Sequence, residues 1–542
     1  MPAAGRRLTV NAAIVMGATL ASRLTGFFRE MLIPAKFGVG IVADVYDVAF
    51  KFPDLMFSLL IGGAISAALV PVLSGSVSKG NEGEGWQAIS RFINLTMLLT
   101  LAVCVIGIIF SENLVVLFAQ GWDPANPEDM FKITMAARLM RVLFPSVAFL
   151  MLAGFANSVL YSYERFLSAA FGPVLYNVLC IASIALLSGG GPEEYYHVDR
   201  VVFGVMLSSF TYFIFQTAFA LKNIKGNYTL SFDIRHKGFR RLFGIALPSL
   251  VSSSVLQINT MVSTSFSSRF EAGSIIAMRL ADRTWQMPYG IIAQSMGIAL
   301  LPDLSGKYAN GDIDGYKNSL VSGLRYVLLL AIPVAAACVT LNNLIMRFLF
   351  YNSNRMTEAG VTLTASILAC YSSALITQSI NTILIRAFYA CNETRTPMIT
   401  GISIIGLNIL LSVIFYNFTG FGVRGMAFAY SISSAVNLVL LVNLLNRKVR
   451  GLDVFRGFRP FFIKTGAAAL GMAAALIALA YAVPAGFVTG PFSASLKLRQ
   501  ALLLGANAVA GVLIYFGLLT VFRLPEASGL IDGVKGRIFK NR

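Results

Sequence analysis

Apolar runs of about twenty residues recur along almost the whole chain, and no other feature limits its fold so tightly. A helix of ~20 apolar residues crosses a bilayer core. On that measure about fourteen helices are expected, over 8–34, 40–73, 88–118, 131–159, 167–188, 199–222, 238–266, 272–304, 317–346, 360–389, 397–417, 423–446, 461–484 and 498–522. Only 13% of the 542 residues are charged and 56% are hydrophobic, whereas soluble domains carry about 25% charge. The expected fold class is therefore all-α, integral to a membrane and multi-pass.

The stretch Leu20–Gly75 is apolar enough for lipid and yet contains Arg23, Arg29, Glu30, Asp44, Asp47, Lys51 and Asp54. A charge at the bilayer centre costs roughly 2.5–3.5 kcal/mol, so such residues usually face a bundle interior or a wet cavity. Asp44, Asp47, Lys51, Asp54, Ser58 and Gly62 are spaced by three or four and share one helical stripe. A second stripe, Arg279, Asp282, Arg283, Gln286, Gly290, Gln294 and Gly297, repeats the pattern in the eighth expected helix. Both read as walls of a translocation cavity. Arginine in such a cavity suits a phosphate or diphosphate, because guanidinium stays charged and grips oxygens bidentately. Asp44, Asp47 and Asp282 would hold these cations between substrates. The competing reading makes Asp282–Arg283 and Asp47–Lys51 ion pairs that stitch helices together. Arg138, Arg141, Arg325 and Arg347 are not ligand candidates, and those near helix ends are expected to snorkel.

The net charge of +18 implies no nucleic acid, because Lys and Arg gather in alternate loops as positive-inside topology requires. Arg6, Arg7, Lys79, Arg165, Lys222–Arg241, Lys307, Lys317, Arg395, Arg447–Arg459 and Lys535–Arg542 fall on one side, and Asp123, Glu128, Asp129, Glu193, Glu194, Asp199 and Glu271 on the other. Both termini are thus expected in the cytoplasm. The basic loop Lys222–Arg241 is expected to lie against anionic headgroups. The five cysteines show no CxxC spacing and the two histidines no zinc signature, so no metal, cofactor or catalytic constellation is expected. Any coupling ion is unspecified.

Leu69-Val-Pro-Val-Leu-Ser-Gly75 is echoed by Leu300-Leu-Pro-Asp-Leu-Ser-Gly306. Repeated halves with substrate between them are a common transporter plan. The expected division is an N-terminal lobe over 1–225, a C-terminal lobe over 226–450, and two extra helices with a basic tail over 451–542.

Ser22-Arg-Leu-Thr-Gly-Phe-Phe-Arg-Glu30, Phe37-Gly-x-Gly40, Ala43-Asp44, Ala49-Phe-Lys-Phe-Pro53, Leu69-Val-Pro71, Ala281-Asp-Arg283 with Pro288, Leu300–Ser305, Arg386-Ala-Phe-Tyr389 and Thr394–Pro397 together resemble the MurJ (MviN) family of lipid II flippases. The resemblance covers about 1–450. It implies a fold of the multidrug/oligosaccharidyl-lipid/polysaccharide exporter superfamily and no enzyme activity. It also implies alternating access that moves undecaprenyl-diphosphate-linked disaccharide-pentapeptide to the outer leaflet of a bacterial cytoplasmic membrane. The two extra helices would form a groove for the lipid tail, and other cell-wall synthesis proteins would be its protein partners. Arg23, Arg29 and Arg283 match functional arginines of the family, and Asp44 its acidic position.

This chain departs from the pattern in places. Phe57-Ser58 stands where many members have an Arg pair, Gly62-Gly63 where they have Glu-Gly, and Glu30 where Asp is frequent. Lys51 and Arg279 are the candidates to supply the lost positive charge. The nearest alternative is a flippase for another lipid-linked oligosaccharide of O-antigen or capsule type. A more distant one is a polytopic glycosyltransferase using Asp44 or Asp47, against which the short outer loops argue.

Overall fold

The structure, a computed structural model, describes residues 21–59, 66–163, 165–189, 194–351, 357–391, 393–449, 452–483 and 493–528. Arg6, Arg7, Gly62, Gly63, Glu193, Arg450 and the basic tail from Lys535 onward lie outside them. Among the described residues the regular structure is all helical, with no strand. The helices are α1 (21–37), α2 (Ile41–Phe57), α3 (Ser66–Ser78), α4 (Glu82–Ile109), α5 (Ser111–Phe118), α6 (Pro127–Ser162), α7 (Phe166–Leu187), α8 (Glu194–Ile224) and α9 (Lys237–Ser267). They continue as α10 (Ser274–Tyr289), α11 (Ser295–Ala309), α12 (Ile313–Thr340), α13 (Asn342–Phe350), α14 (Glu358–Ala390), α15 (Arg395–Phe418), α16 (Arg424–Lys448), α17 (Arg459–Ala482) and α18 (Ala494–Val521).

Ten of these, α4, α6, α7, α8, α12 and α14 through α18, are long and apolar enough to cross a membrane. The other expected spans fall on 21–37, α2–α3, α9 and α10–α11, which are more polar, interrupted or only partly described. A π-helical turn, Gly290–Gln294, separates α10 from α11, and Ser58–Leu59 at the end of α2 is also π-helical. Such turns widen the helix and often mark functional places.

The chain divides into two compact units, Met1–Ile276 and Ala277–Arg542, and each repeats one order of helices. A 28-residue helix is followed at once by a short one, α4–α5 in the first unit and α12–α13 in the second. A long central helix comes next, α6 or α14, then a hairpin, α7–α8 or α15–α16. The packing repeats as well: α6 lies on α8 and α4 in the first unit, and α14 lies on α16 and α12 in the second. The echoed Leu69–Gly75 and Leu300–Gly306 occupy equivalent helices, α3 and α11, which pack on α6 and α14 respectively.

The last two helices are integral to the second unit's core. Phe458, Phe461, Met472 and Leu476 of the α17 region and Tyr515 and Leu519 of α18 join Leu324, Leu328 and Leu384 in one buried cluster. Polar clamps fix both ends of this hairpin. Arg325 of α12 pairs with Glu526 at 2.6 Å and lies over the Phe458 ring, 5.2 Å from its centroid. Lys497 of α18 donates to the carbonyls of Arg347 and Phe348 at 2.9 and 2.8 Å, closing the end of α13. All five thiols are free, four of them buried, as small core residues should be.

Candidate functional site

The polar stripe of α2 changes character along its length. Asp44 is 4% exposed and Asp47 fully buried, Lys51 is half-buried, and Asp54 is exposed. Asp44 reaches across to the start of α10, where its carboxylate accepts from the backbone N–H of Gly273 at 2.6 Å and of Ile276 at 2.8 Å. The first N–H groups of a helix lack intrahelical partners, and negative charge is favourable there. Gly273, at φ +91°, supplies the left-handed turn that aims these groups at one carboxylate. Asp44 therefore caps a helix more than two hundred residues away in sequence. Asp47 and Lys51 form an ion pair at 2.7 Å, one turn apart on α2, so the pair braces a single helix and joins no two.

Beside Asp44 lies a pocket of about 140 Å³, lined by Trp122, Asp129, Lys132, Ser268 and Arg269 among others. Lys132 pairs with Asp129 at 2.9 Å and Glu128 at 3.3 Å. The Gly121 N–H donates to Ser268 Oγ at 2.8 Å, and Arg269 reaches Gln120 at 3.4 Å. Sequence reasoning missed this polar floor, because its members come from three separate loops and helix ends. The glycine just ahead of Ser274 was the one local sign that a helix start there needs a partner.

On α1, Arg23 is exposed, while Arg29 pairs with Glu30 at 3.1 Å and lies 5.9 Å from the Tyr176 ring centroid. That separation is within reach of a cation–π contact. Glu30 is 8% exposed.

In the second unit Asp282 is held by its own helix. It accepts from Trp285 Nε1 at 3.0 Å and from Gln286 Nε2 at 2.6 Å. Trp285 in turn packs between Tyr289, Tyr371 and Tyr430. The Tyr289 hydroxyl meets Thr382 at 2.8 Å, and Gln378 donates to Tyr430 at 2.7 Å. This aromatic and amide brace fixes the helix turn from which Arg279, half-buried, and Arg283, exposed, project. The structure thus brings Arg29 to Glu30 and Lys51 to Asp47, and it gives Asp44 and Asp282 structural work, at long range for Asp44 and within its own helix for Asp282.

The four arginines set aside as ligands, Arg138, Arg141, Arg325 and Arg347, are all paired. Arg138 meets Asp199 at 2.7 Å, Arg141 meets Glu112 at 3.1 Å, and Arg347 pairs with Glu358 while its Nε donates to Asn343 Oδ1 at 2.7 Å. Snorkelling alone does not describe them. Among the described residues no group of three or more His, Cys, Asp or Glu is placed to hold a metal ion.

The twice-repeated helical order with charged, π-interrupted helices is a fold shared with solved membrane transporters. An inward-facing multidrug resistance MATE family transporter shares the fold at a TM-score of 0.64 and 14% identity, over 81% of this chain and 98% of that one. A lipid II flippase MurJ in an inward closed conformation matches at a TM-score of 0.74 and 24% identity, over 94% of this chain and 98% of that one. Residues 33–497 match the lipid II flippase MurJ family. A probable lipid II flippase MurJ of Buchnera aphidicola is 30% identical over 80% of this chain and 83% of its own length. That of Rhizobium meliloti is 29% identical over 93% and 92%, and the lipid II flippase MurJ of Burkholderia cenocepacia 29% over 85% and 87%. The chain belongs to the lipid II flippase MurJ family.

Proposed function

We propose that this chain carries undecaprenyl-diphosphate-linked peptidoglycan precursor from the inner to the outer leaflet of a bacterial cytoplasmic membrane by alternating access. The family match over 33–497 carries this reading. Arg23, Arg29 and Arg283 engage the diphosphate during the cycle, with Arg279 and Lys51 as the further cations. The exposure of Arg23 and Arg283 supports their part most directly, since an exposed guanidinium is accessible to phosphate oxygens. Asp44, Asp47, Asp282 and Glu30 serve by holding helices and cations in place. The lobes of this cycle are 1–225 and 226–450, with 451–542 appended and both termini cytoplasmic.

Export of a diphosphate from a negative-inside cell is helped by the membrane potential, about 2.3 kcal/mol per charge per 100 mV. The deciding experiment expresses the chain in a bacterium whose own lipid II flippase is shut off, beside Arg23→Ala and Arg283→Ala. Rescue by the wild type and failure of well-expressed variants is expected. A properly inserted wild type that does not rescue refutes lipid II as substrate and favours another lipid-linked glycan. Full rescue by Lys51→Ala or Arg279→Ala removes that residue from the substrate set.

A further inference from the structure

The connection between α8 and α9 is built differently from an ordinary solvated loop. After α8 ends at Ile224, Gly226 at φ +87° turns the chain, and residues 228–233 run without helical structure. Asn94 Nδ2 donates to the carbonyls of both Thr229 and Ser231, at 3.1 and 3.0 Å. The Thr229 N–H donates to Ser90 Oγ at 3.1 Å, and the Tyr228 hydroxyl donates to Asn94 Oδ1. Ser90 and Asn94 are both buried and lie one turn apart on α4. Carbonyls two residues apart that point at one amide belong to an extended segment, whose side chains alternate with period two.

The segment is therefore tied lengthwise to α4. Leu230, Phe232 and Ile234 occupy every second position and are 75%, 52% and 56% exposed. Exposed cations stand on both flanks, Lys222 and Lys225 before the segment and Arg235, Lys237 and Arg240 after it. Within 222–241 the sole acid is Asp233, which accepts from the Arg235 N–H. The strap begins four residues beyond the end of a helix long and apolar enough to cross a membrane, which sets it at the height of the lipid headgroups. An apolar row at that height, between two groups of cations, complements an anionic headgroup layer with acyl chains beneath it.

We propose that residues 228–234 form an interfacial strap whose Leu230, Phe232 and Ile234 dock into the membrane surface beside anionic phospholipid held by the flanking Lys and Arg. The test places Leu230→Trp or Phe232→Trp in the full chain, in nanodiscs whose lipids carry brominated acyl chains. The lipid is phosphatidylcholine alone or phosphatidylcholine with phosphatidylglycerol, and the wild-type signal from Trp86, Trp122 and Trp285 is subtracted. Bromolipid quenching of the new tryptophan is expected with phosphatidylglycerol present. It should fall at least about twofold in phosphatidylcholine alone, or when Arg235→Glu and Lys237→Glu are added. A tryptophan at 230 or 232 that acrylamide quenches and bromolipid does not overturns docking. Equal bromolipid quenching in both lipids overturns the anionic preference. Ile234→Trp gives an independent reading if either of the first two variants misfolds.

Discussion

Asp44 offers the sharpest test of how the two ends of the long-range contact depend on each other. Its carboxylate is the acceptor for two N–H groups at the start of α10, at 2.6 and 2.8 Å, in a site only 4% exposed. Asp44→Ala leaves both donors buried without an acceptor, at about 1–3 kcal/mol each, and also removes a charge placed favourably at a helix N-terminus. The expected loss is on the order of 3 kcal/mol, which at 1.4 kcal/mol per decade is about 100-fold in the local opening equilibrium. Asp44→Asn keeps one carbonyl oxygen as acceptor and should lose about one decade. Hydrogen exchange of the peptide spanning Phe270–Ala277 reads this directly, since the Gly273 and Ile276 amides lie within it. The expected order of exchange rates is Ala, then Asn, then wild type. Wild-type exchange in Asp44→Ala, or equal acceleration in both variants, would refute the cap.

Other outcomes can be checked alongside. Arg325→Leu and Glu526→Gln, alone and together, should show a coupling of roughly 1–3 kcal/mol in detergent unfolding, because the pair closes the α17–α18 hairpin at 2.6 Å; additive effects would exclude it. A Cβ on Gly121 would strike the backbone of Ser268 and Arg269, which has no rotamer to change, so Gly121→Ala should cost about 1–3 kcal/mol. Gly420→Ala, with open space around the added methyl, should stay within about 0.5 kcal/mol on the same measurement. The Thr396 N–H first, then Lys448 and the Arg395 N–H, hold the Glu393 carboxyl below its ordinary range. A depressed folded-state value means its contribution is complete above the ordinary 4.5 and disappears as pH falls through the folded value. The melting temperature of Glu393→Gln should therefore lie below wild type near neutrality and converge with it in acid, and a constant gap would contradict the contact.

Helix positions were legible because apolar runs report burial in lipid or protein directly. Breaks within runs were not. Phe110–Ser111 and Leu341–Asn342 end α4 and α12 and start α5 and α13, yet no proline or glycine marks either junction. Periodicity also placed Asp44, Asp47 and Lys51 on one face correctly, and the i,i+4 pair of Asp47 with Lys51 follows from that spacing. The partners of Asp44 are backbone groups far along the chain, and those of Arg325 and Arg138 are carboxylates on other helices. Helical spacing carries no information about such contacts. It shows that a charge faces inward and leaves open whether a carboxylate, a helix end or a substrate meets it.

That distinction gives Lys51 and Arg283 opposite expectations. Lys51 neutralises Asp47, which has no exposed surface. Removing the ammonium alone takes this cation from a buried carboxylate, and breaking a buried pair typically costs about 3–5 kcal/mol. Lys51→Met should therefore lower stability strongly, and adding Asp47→Asn should restore much of it, because both charges are then gone. Arg283 is exposed, and Arg283→Ala should leave unfolding within about 0.5 kcal/mol of wild type. Complementation then separates structure from transport. If the Asp47→Asn, Lys51→Met pair is stable and rescues growth while Arg283→Ala is stable and does not, Lys51 is a structural cation and Arg283 a substrate one. A stable double variant that fails to rescue assigns the Lys51 charge to transport, and it becomes the replacement for the arginine pair missing at Phe57-Ser58.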